Sequence, residues 1–432
     1  MTRFYTGVSW IYRRPAAWAA LVLCALATAA EGAEQRTVAL AEADLSVQVL
    51  AADGPRLVIW LPPEEGPSPR QLPTARALAD AGVEVWMPDL HTAWFLAPGS
   101  HSLADVPPES VAVLVDAAAA TGKQVFLVAG GRTGQLALST ARAWQQRPAR
   151  QGRLGGVVLL YPKLYGRTPQ GGEDARFAPI VHATNVPTYV MQPENSSGWW
   201  RIVDVAAALQ TGGAAVYVQK LPGVSDGFEV RSQTRPGEIE MTDRLPATMQ
   251  NALALLEAAG PAPAAAAAAA LAEPAPAGGR DAGADLLRPV REPFPAPPLA
   301  LAGLDGRPID LESRRGQVVL VNFWATWCPP CVEEIPSLNR LQARLAPRGF
   351  EVLAVDVGET PEQVKGFLRE RPVTFPVLLD AEGDAFKRWK AYAFPTSLVL
   401  DRQHRVRFAV YGALAWDGPE VIEVIGRLLD GS

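Results

Sequence analysis

The sequence predicts an α/β protein built as two units, and three observations predict it. Before residue 259, short β-branched apolar runs alternate with amphipathic segments; after residue 293 they alternate again; between them lies a stretch dominated by Ala, Pro, Gly and Asp. Strands alternating with helices argue for sheets covered on both faces. A stretch with few large apolar residues cannot build a core and reads as a linker. At 432 residues the chain is also too long for one ordinary domain. The expected division is 1–33 as an export segment, 37–258 as a first domain, 259–293 as the linker and 294–432 as a second domain.

The opening segment carries Arg3, Arg13 and Arg14 ahead of an apolar run over 15–30, which ends at polar Glu31. A basic start, a short apolar stretch and small residues such as Thr28-Ala29-Ala30 form the pattern of a secretory signal. The run is shorter than the ~20 residues of a spanning helix. The expected location is the periplasm, with an uncleaved membrane anchor through 15–30 as the variant of the same reading.

In the first domain, strands are expected at 56–60, 83–86, 124–128, 155–160, 187–191 and 214–220. Amphipathic helices are expected at 72–81, 110–120 and 135–145, and together these elements make a mostly parallel sheet. In the second, strands are expected at 318–324, 351–357, 375–379, 397–401 and 406–410. Helices are expected there at 329–345, 361–369, 385–391 and 419–429. This order suits a central mixed sheet with helices on both sides.

Composition excludes little, but a net charge of -5 gives no electrostatic reason to expect nucleic acid as a partner. Cysteine usage is sharper. Only Cys24, Cys328 and Cys331 exist, so removal of the signal leaves a single Cys-x-x-Cys. A disulfide scaffold would carry several separated pairs. The four histidines, His91, His101, His182 and His404, show no paired spacing that would complete a zinc site, so no metal is expected.

Cys328 stands where an apolar strand runs directly into a helix. Free backbone N–H groups and the helix dipole stabilise a thiolate there, and only the thiolate attacks a disulfide. Cys331, one helical turn on, resolves the mixed disulfide, and Trp327 shields one side. Pro329 and Pro330 lack N–H groups, which removes two donors to the Cys328 sulfur and favours the reducing to intermediate part of the potential range.

The run from Val321 to Pro336, with Phe375-Pro-Val-Leu-Leu-Asp380 and Phe394-Pro395-Thr396, closely resembles the TlpA-like branch of thioredoxins, which are exported reductases. The resemblance covers nearly all of 294–432 and implies a thioredoxin fold with a cis proline at Pro395. It implies that Phe394, Pro395 and Thr396, with Trp327, contact substrate beside Cys328. It further implies that Glu334, three residues after Cys331, handles protons in place of the buried strand acid of cytoplasmic thioredoxins, whose position Asn322 takes. The implied partners are protein disulfides and a membrane or periplasmic electron donor, with no cofactor. Ala393 departs from the usual Gly before the cis-proline dipeptide.

The first domain resembles an α/β-hydrolase that has lost its chemistry. Gly130-Gly-Arg-Thr-Gly134 matches the strand–turn–helix of a nucleophile elbow with Arg132 in the serine position, and an arginine is no nucleophile. The acid position offers only Glu194, and Asp226 stands in the place of the histidine. The loop that would supply oxyanion donors reads Leu61-Pro62-Pro63, and proline cannot donate. The expectation is an inactive domain that recognises a partner or ligand, with Arg132 suited to a carboxylate or phosphate and Trp94, Trp199 and Trp200 as candidates for lining its cleft. Two competing readings are a hydrolase, with Thr133 as substitute nucleophile, and a ligand-binding protein, each with an appended redox domain.

Overall fold

The computed structural model describes residues 33–148, 154–232, 234–260, 264–265 and 287–431. The expected export segment, with Cys24, and most of the alanine run in the linker lie outside the described residues.

Two eight-stranded sheets organise the chain. The first contains β1 (Glu34–Ala39), β2 (Asp44–Leu50), β3 (Arg56–Trp60), β4 (Val83–Pro88), β5 (Gln124–Gly130), β6 (Leu154–Leu160), β7 (Thr188–Asn195) and β8 (Val216–Ser225). Its order is β1-β2-β4-β3-β5-β6-β7-β8. The ladders from β4 to β8 are parallel, whereas β1–β2 and β2–β4 are antiparallel. Helices α1 (Gln71–Asp80), α2 (Leu90–Ala93), α3 (Pro108–Ala119), α4 (Thr133–Gln146), α5 (Pro179–Ala183), α6 (Ile202–Thr211) and α7 (Pro236–Ala258) complete the unit. Two separate apolar clusters fill the unit, one drawing on α3 and α4 and the other on α1 and α7. β3, β5 and β6 therefore read as continuous apolar runs, as strands buried on both faces must.

The second sheet holds β9 (Arg288–Pro295), β10 (Ala300–Gly303), β11 (Pro308–Asp310), β12 (Val318–Trp324), β13 (Phe350–Val357), β14 (Val377–Asp380), β15 (Thr396–Leu400) and β16 (Arg405–Tyr411). With it go α8 (Pro329–Leu345), α9 (Pro361–Glu370), α10 (Asp384–Arg388) and α11 (Pro419–Leu429). Every residue of β12 is buried, and the strand sits inside the sheet, parallel to β13 and antiparallel to β15. The β12-α8-β13 crossover followed by the β15–β16 hairpin and α11 gives the thioredoxin arrangement. Helix α8 buries Cys331, Glu334, Ile335, Leu338, Leu341 and Leu345 at helical spacing, which turns the cysteine end of the helix inward.

Three differences from the expected elements have physical reasons. β1, the edge strand, is mostly polar, and β2 beside it alternates apolar with polar residues, so neither presents a continuous apolar run. They supply the antiparallel part of an otherwise parallel sheet. β9 falls largely within the expected linker, because its sequence Arg-Pro-Val-Arg-Glu-Pro-Phe-Pro is polar and proline-rich; it is an edge strand pairing with β16, where proline is tolerated. α7 contains Pro246, which masks it in the sequence, yet Met241, Leu245, Met249, Leu253 and Leu256 pack along one face.

The two units are in contact. The ring of Trp200 lies over two glycines of the second unit: a Cβ on Gly358 would stand 2.4 Å from it, and one on Gly383 2.5 Å. Arg201 donates to the Ala391 carbonyl at 3.3 Å, Lys390 pairs with Asp174 at 3.1 Å, and Tyr165 meets Tyr392 edge-on at 5.4 Å.

Candidate active site

Strand β12 delivers Ala325-Thr-Trp-Cys328 to the start of α8, where Cys328 is the N-cap residue and Pro329 and Pro330 open the helix. Proline fits there because the first helical N–H groups have no partner within the helix. The first N–H of the helix able to reach the cap is that of Cys331, and it points at the Cys328 sulfur at 3.3 Å. The two cysteines form a disulfide with Cα atoms 5.3 Å apart. Both are nearly inaccessible, Cys328 at 4% and Cys331 at 1% exposure, and of the two it is the cap residue Cys328 that lines a cleft.

The loop before the cysteines is clamped from the segment just after β13. Glu359 accepts the Thr326 N–H at 2.6 Å and its hydroxyl at 2.5 Å. Beside it Asp356 is fully buried, and its carboxyl is pushed well up by burial and by the neighbouring Glu359. Neither acid was singled out from sequence. The available signal was an aspartate following the apolar run Val-Leu-Ala-Val within the strand Phe-Glu-Val-Leu-Ala-Val-Asp-Val, a position where a charge must find a partner.

The Phe394–Pro395 peptide is cis. The Phe394 ring stacks edge-on against Trp327 at 5.4 Å, and both side chains line a cleft with Cys328, Pro329 and Pro330. Thr396 is placed differently: it is 1% exposed and its hydroxyl donates to the Ala393 carbonyl at 2.8 Å, so it supports the loop from inside.

Glu334 is 3% exposed, while Glu333 points to solvent. One Glu334 oxygen accepts from Asn322 Nδ2 at 2.8 Å; the other accepts from Trp416 Nε1 at 2.9 Å and the Leu414 N–H at 3.3 Å. Burial pushes its carboxyl up to about 7, against the pull of those three donors. A carboxyl ionising near neutrality, one turn from Cys331 on the same helix, is suited to exchanging a proton at working pH.

The first unit carries no assembled hydrolytic triad among the expected positions. The left-handed residue of the strand-to-helix turn is Gly131 at φ 56°, and Arg132 adopts ordinary helical angles. The strained slot that would hold a nucleophile is thus filled by a residue with no side chain, a correction to the placing of Arg132 there. Thr133 is 1% exposed and donates to the Pro62 carbonyl at 3.1 Å. Glu194 pairs with Lys220 at 2.5 Å. Asp226 sits in the cleft, close to a buried pair in which Tyr161 donates to Glu229 at 2.5 Å. Burial pushes Glu229 up to about 7 and Asp226 upward as well. The three tryptophans do not line this cleft: Trp94 packs on the first core, Trp199 lies under the Lys220 ammonium at 4.7 Å, and Trp200 seats on the second unit.

A thioredoxin-fold sheet with a Cys-x-x-Cys helix cap beside a cis proline defines a class of dithiol protein. A family model described as the AhpC/TSA family matches residues 294–409. The thiol-disulfide oxidoreductase ResA of Geobacillus thermodenitrificans is 34% identical over 119 residues, covering 28% of this chain and 68% of the relative. The same-named protein of Bacillus subtilis is 31% identical over 125 residues, covering 29% and 70%. For that of Bacillus thuringiensis the figures are 36% over 111 residues, 26% of this chain and 64% of the relative's length. Among solved structures, a thiol:disulfide interchange protein of Chlorobium tepidum is 29% identical with a TM-score of 0.28, covering 31% of this chain and 96% of that one. The chain belongs, through its C-terminal region, to the ResA/TlpA-like thiol-disulfide oxidoreductase family.

Proposed function

We propose that the protein is an exported thiol–disulfide oxidoreductase that reduces protein disulfides through Cys328 and Cys331, with the N-terminal unit recognising the partner. The observation that carries this reading is Cys328 at the cap of α8, with the Cys331 N–H on its sulfur and Trp327 and Phe394 beside it.

In the reduced form, the Cys328 thiolate attacks one sulfur of the substrate disulfide and releases the other as a thiolate, which takes a proton. Cys331, having lost its proton toward Glu334, then attacks the Cys328 sulfur and forms the disulfide seen here, while the second substrate thiol leaves. Two electrons pass to the substrate, and a dithiol donor protein returns them. Among the described residues the N–H bonded to the Cys328 sulfur is that of Cys331, and both prolines lack one. A thiolate with few donors favours the reducing direction.

Export rests on the basic-then-apolar start of the chain; among the described residues no helix is long and apolar enough to cross a membrane. The reading of the N-terminal unit as a degenerate α/β-hydrolase is supported by its mostly parallel sheet and by the Gly-rich turn between β5 and α4. The test is reduction of insulin by the dithiol form. Cys328→Ser should abolish it, and Cys331→Ala should accumulate mixed disulfides with the partner; equal rates in Cys328→Ser and the unaltered chain would refute the reading.

A further inference from the structure

The dithiol does not open onto a free surface. It opens into a cleft of about 610 Å³ whose other wall belongs to the N-terminal unit. One wall carries Trp327, Cys328, Tyr392 and Phe394; the other carries Arg132, Tyr161, Lys163 and Arg231. The contacts that hold the walls together grip the segment leading into Pro395. Arg201 bonds the Ala391 carbonyl, Tyr165 packs on Tyr392, and Lys390 pairs with Asp174. The seat of Trp200 on Gly358 and Gly383 anchors the same face.

The charge in the cleft is one-sided. Its lining includes five cations, Arg132, Lys163, Arg167, Arg231 and Arg288, against one acid, Asp226. Arg167 pairs with Glu173 at 2.9 Å, Arg231 pairs with buried Glu238 at 2.5 Å, and Arg288 is engaged as well. Arg132 reaches its nearest acid, Glu64, only at 3.9 Å. Lys163 is exposed and forms no close ion pair among the described residues, although its charge faces Asp226 and Glu64 at longer range. Cations on a low-dielectric wall raise the local concentration of an anionic partner and speed its arrival. The volume is that of a site for a small ligand or short chain segment, not for the face of a folded protein.

We propose that this cleft is the substrate seat of the dithiol, and that Lys163 and Arg132 make it select disulfides carried on a short, extended, acidic peptide segment of a partner protein. This rests on the redox reading above and adds the substrate class. The aromatic side chains Trp327, Phe394 and Tyr392 pack the segment at the sulfur, and the two cations face the carboxylates that flank it.

The test uses the reduced full-length chain and two synthetic peptides, each joined through its one cysteine to a chromogenic aryl thiol. One peptide has three Glu around the cysteine and the other has three Gln. Attack by Cys328 on the peptide sulfur releases the coloured thiolate, and Cys331 then frees the peptide thiol, so a single turnover needs no added reductant. The acidic peptide should react about tenfold faster at low salt, an advantage that shrinks at high salt. Lys163→Glu, a change at an exposed position, should reduce or invert the ratio of the two rates. Equal rates for the two peptides, or a ratio unmoved by both Lys163→Glu and Arg132→Gln, would overturn the proposal while leaving the redox reading standing. Failure of both peptides to release thiolate would bring down the redox reading, and this proposal with it.

Discussion

Asn322 Nδ2 donates to Glu334 Oε1 at 2.8 Å and to Ser397 Oγ at 2.9 Å, which ties the central strand β12 to both the cysteine helix and the strand that follows the cis proline. An amide in this place supports an acid on the neighbouring helix without adding a second negative charge beside it.

Glu334 gives a pH dependence whose sign is determined by burial. Its carboxyl moves from 4.5 to about 7, so the folded chain keeps a proton that the unfolded chain has released. Its contribution to stability is complete below the unfolded value and is lost as pH rises from about 4.5 through about 7. Glu334→Gln cannot ionise. From pH 4 to pH 8 the unaltered chain should lose up to about 3 kcal/mol more than the variant, measured by urea unfolding. The rate of Cys331 attack should inflect near pH 7 in the unaltered chain and lose that inflection in the variant. The amide can be accommodated if Asn322 turns its oxygen toward it and the Ser397 hydroxyl rotates to donate.

Asp356 and Glu359 form a second linked pair, placed behind the loop rather than behind the helix. Burial holds the Asp356 carboxyl well above its usual value, so its contribution too is present at low pH and is lost as pH rises through that elevated value. Asp356→Asn should therefore gain stability over the unaltered chain as pH rises, in a thermal or urea series. Glu359→Ala removes the acceptor for the Thr326 N–H and hydroxyl, and should cost about 2–3 kcal/mol. It should also slow the attack of Cys328, which lies two residues beyond the clamped threonine.

Legibility followed burial. β12, α8 and α11 were readable to the residue because buried strands and amphipathic helices write their period into the sequence. β1 and β9 were not, since edge strands are half solvated and β9 contains three prolines; β2, just inside β1, alternates polar with apolar residues and leaves no continuous apolar run. At the site, Cys328, Cys331 and Glu334 are local to one helix, so their relation follows from spacing. The Glu359 clamp joins residues 33 apart, and the cleft joins the two units; neither leaves a local pattern. The turn before α4 shows a subtler limit: the Gly-rich motif was legible, but which of its residues takes the left-handed angles was not.

Trp200 and Gly383 should be energetically coupled. Gly383 has φ 68°, and an added Cβ would lie 2.5 Å from the indole. Gly383→Ala therefore carries two costs, about 1–2 kcal/mol for the left-handed backbone and a further clash with the ring. Trp200→Ala should relieve only the clash. A double-mutant cycle by urea unfolding should give a favourable interaction of about 1 kcal/mol or more. Strict additivity would mean that the ring does not rest on this glycine.

Arg132→Ser, which completes the Gly-x-Ser-x-Gly pattern over residues 130–134, should not create an esterase. The new serine would take the helical angles of Arg132, φ -72° and ψ -24°, rather than the strained ones that push a nucleophile outward. Moving it to the strained slot as Gly131→Ser would cost about 1–2 kcal/mol for the left-handed backbone and still leave no histidine at the expected position. Asp226 stands where the proposed hydrolase likeness would expect the histidine, and Thr133 is committed to the Pro62 carbonyl at 3.1 Å. Activating a serine hydroxyl requires an adjacent general base, so both variants should turn over short acyl esters no faster than buffer. Ester hydrolysis by either variant that saturates with substrate would show that a base reaches this turn, and would return the N-terminal unit to the hydrolases.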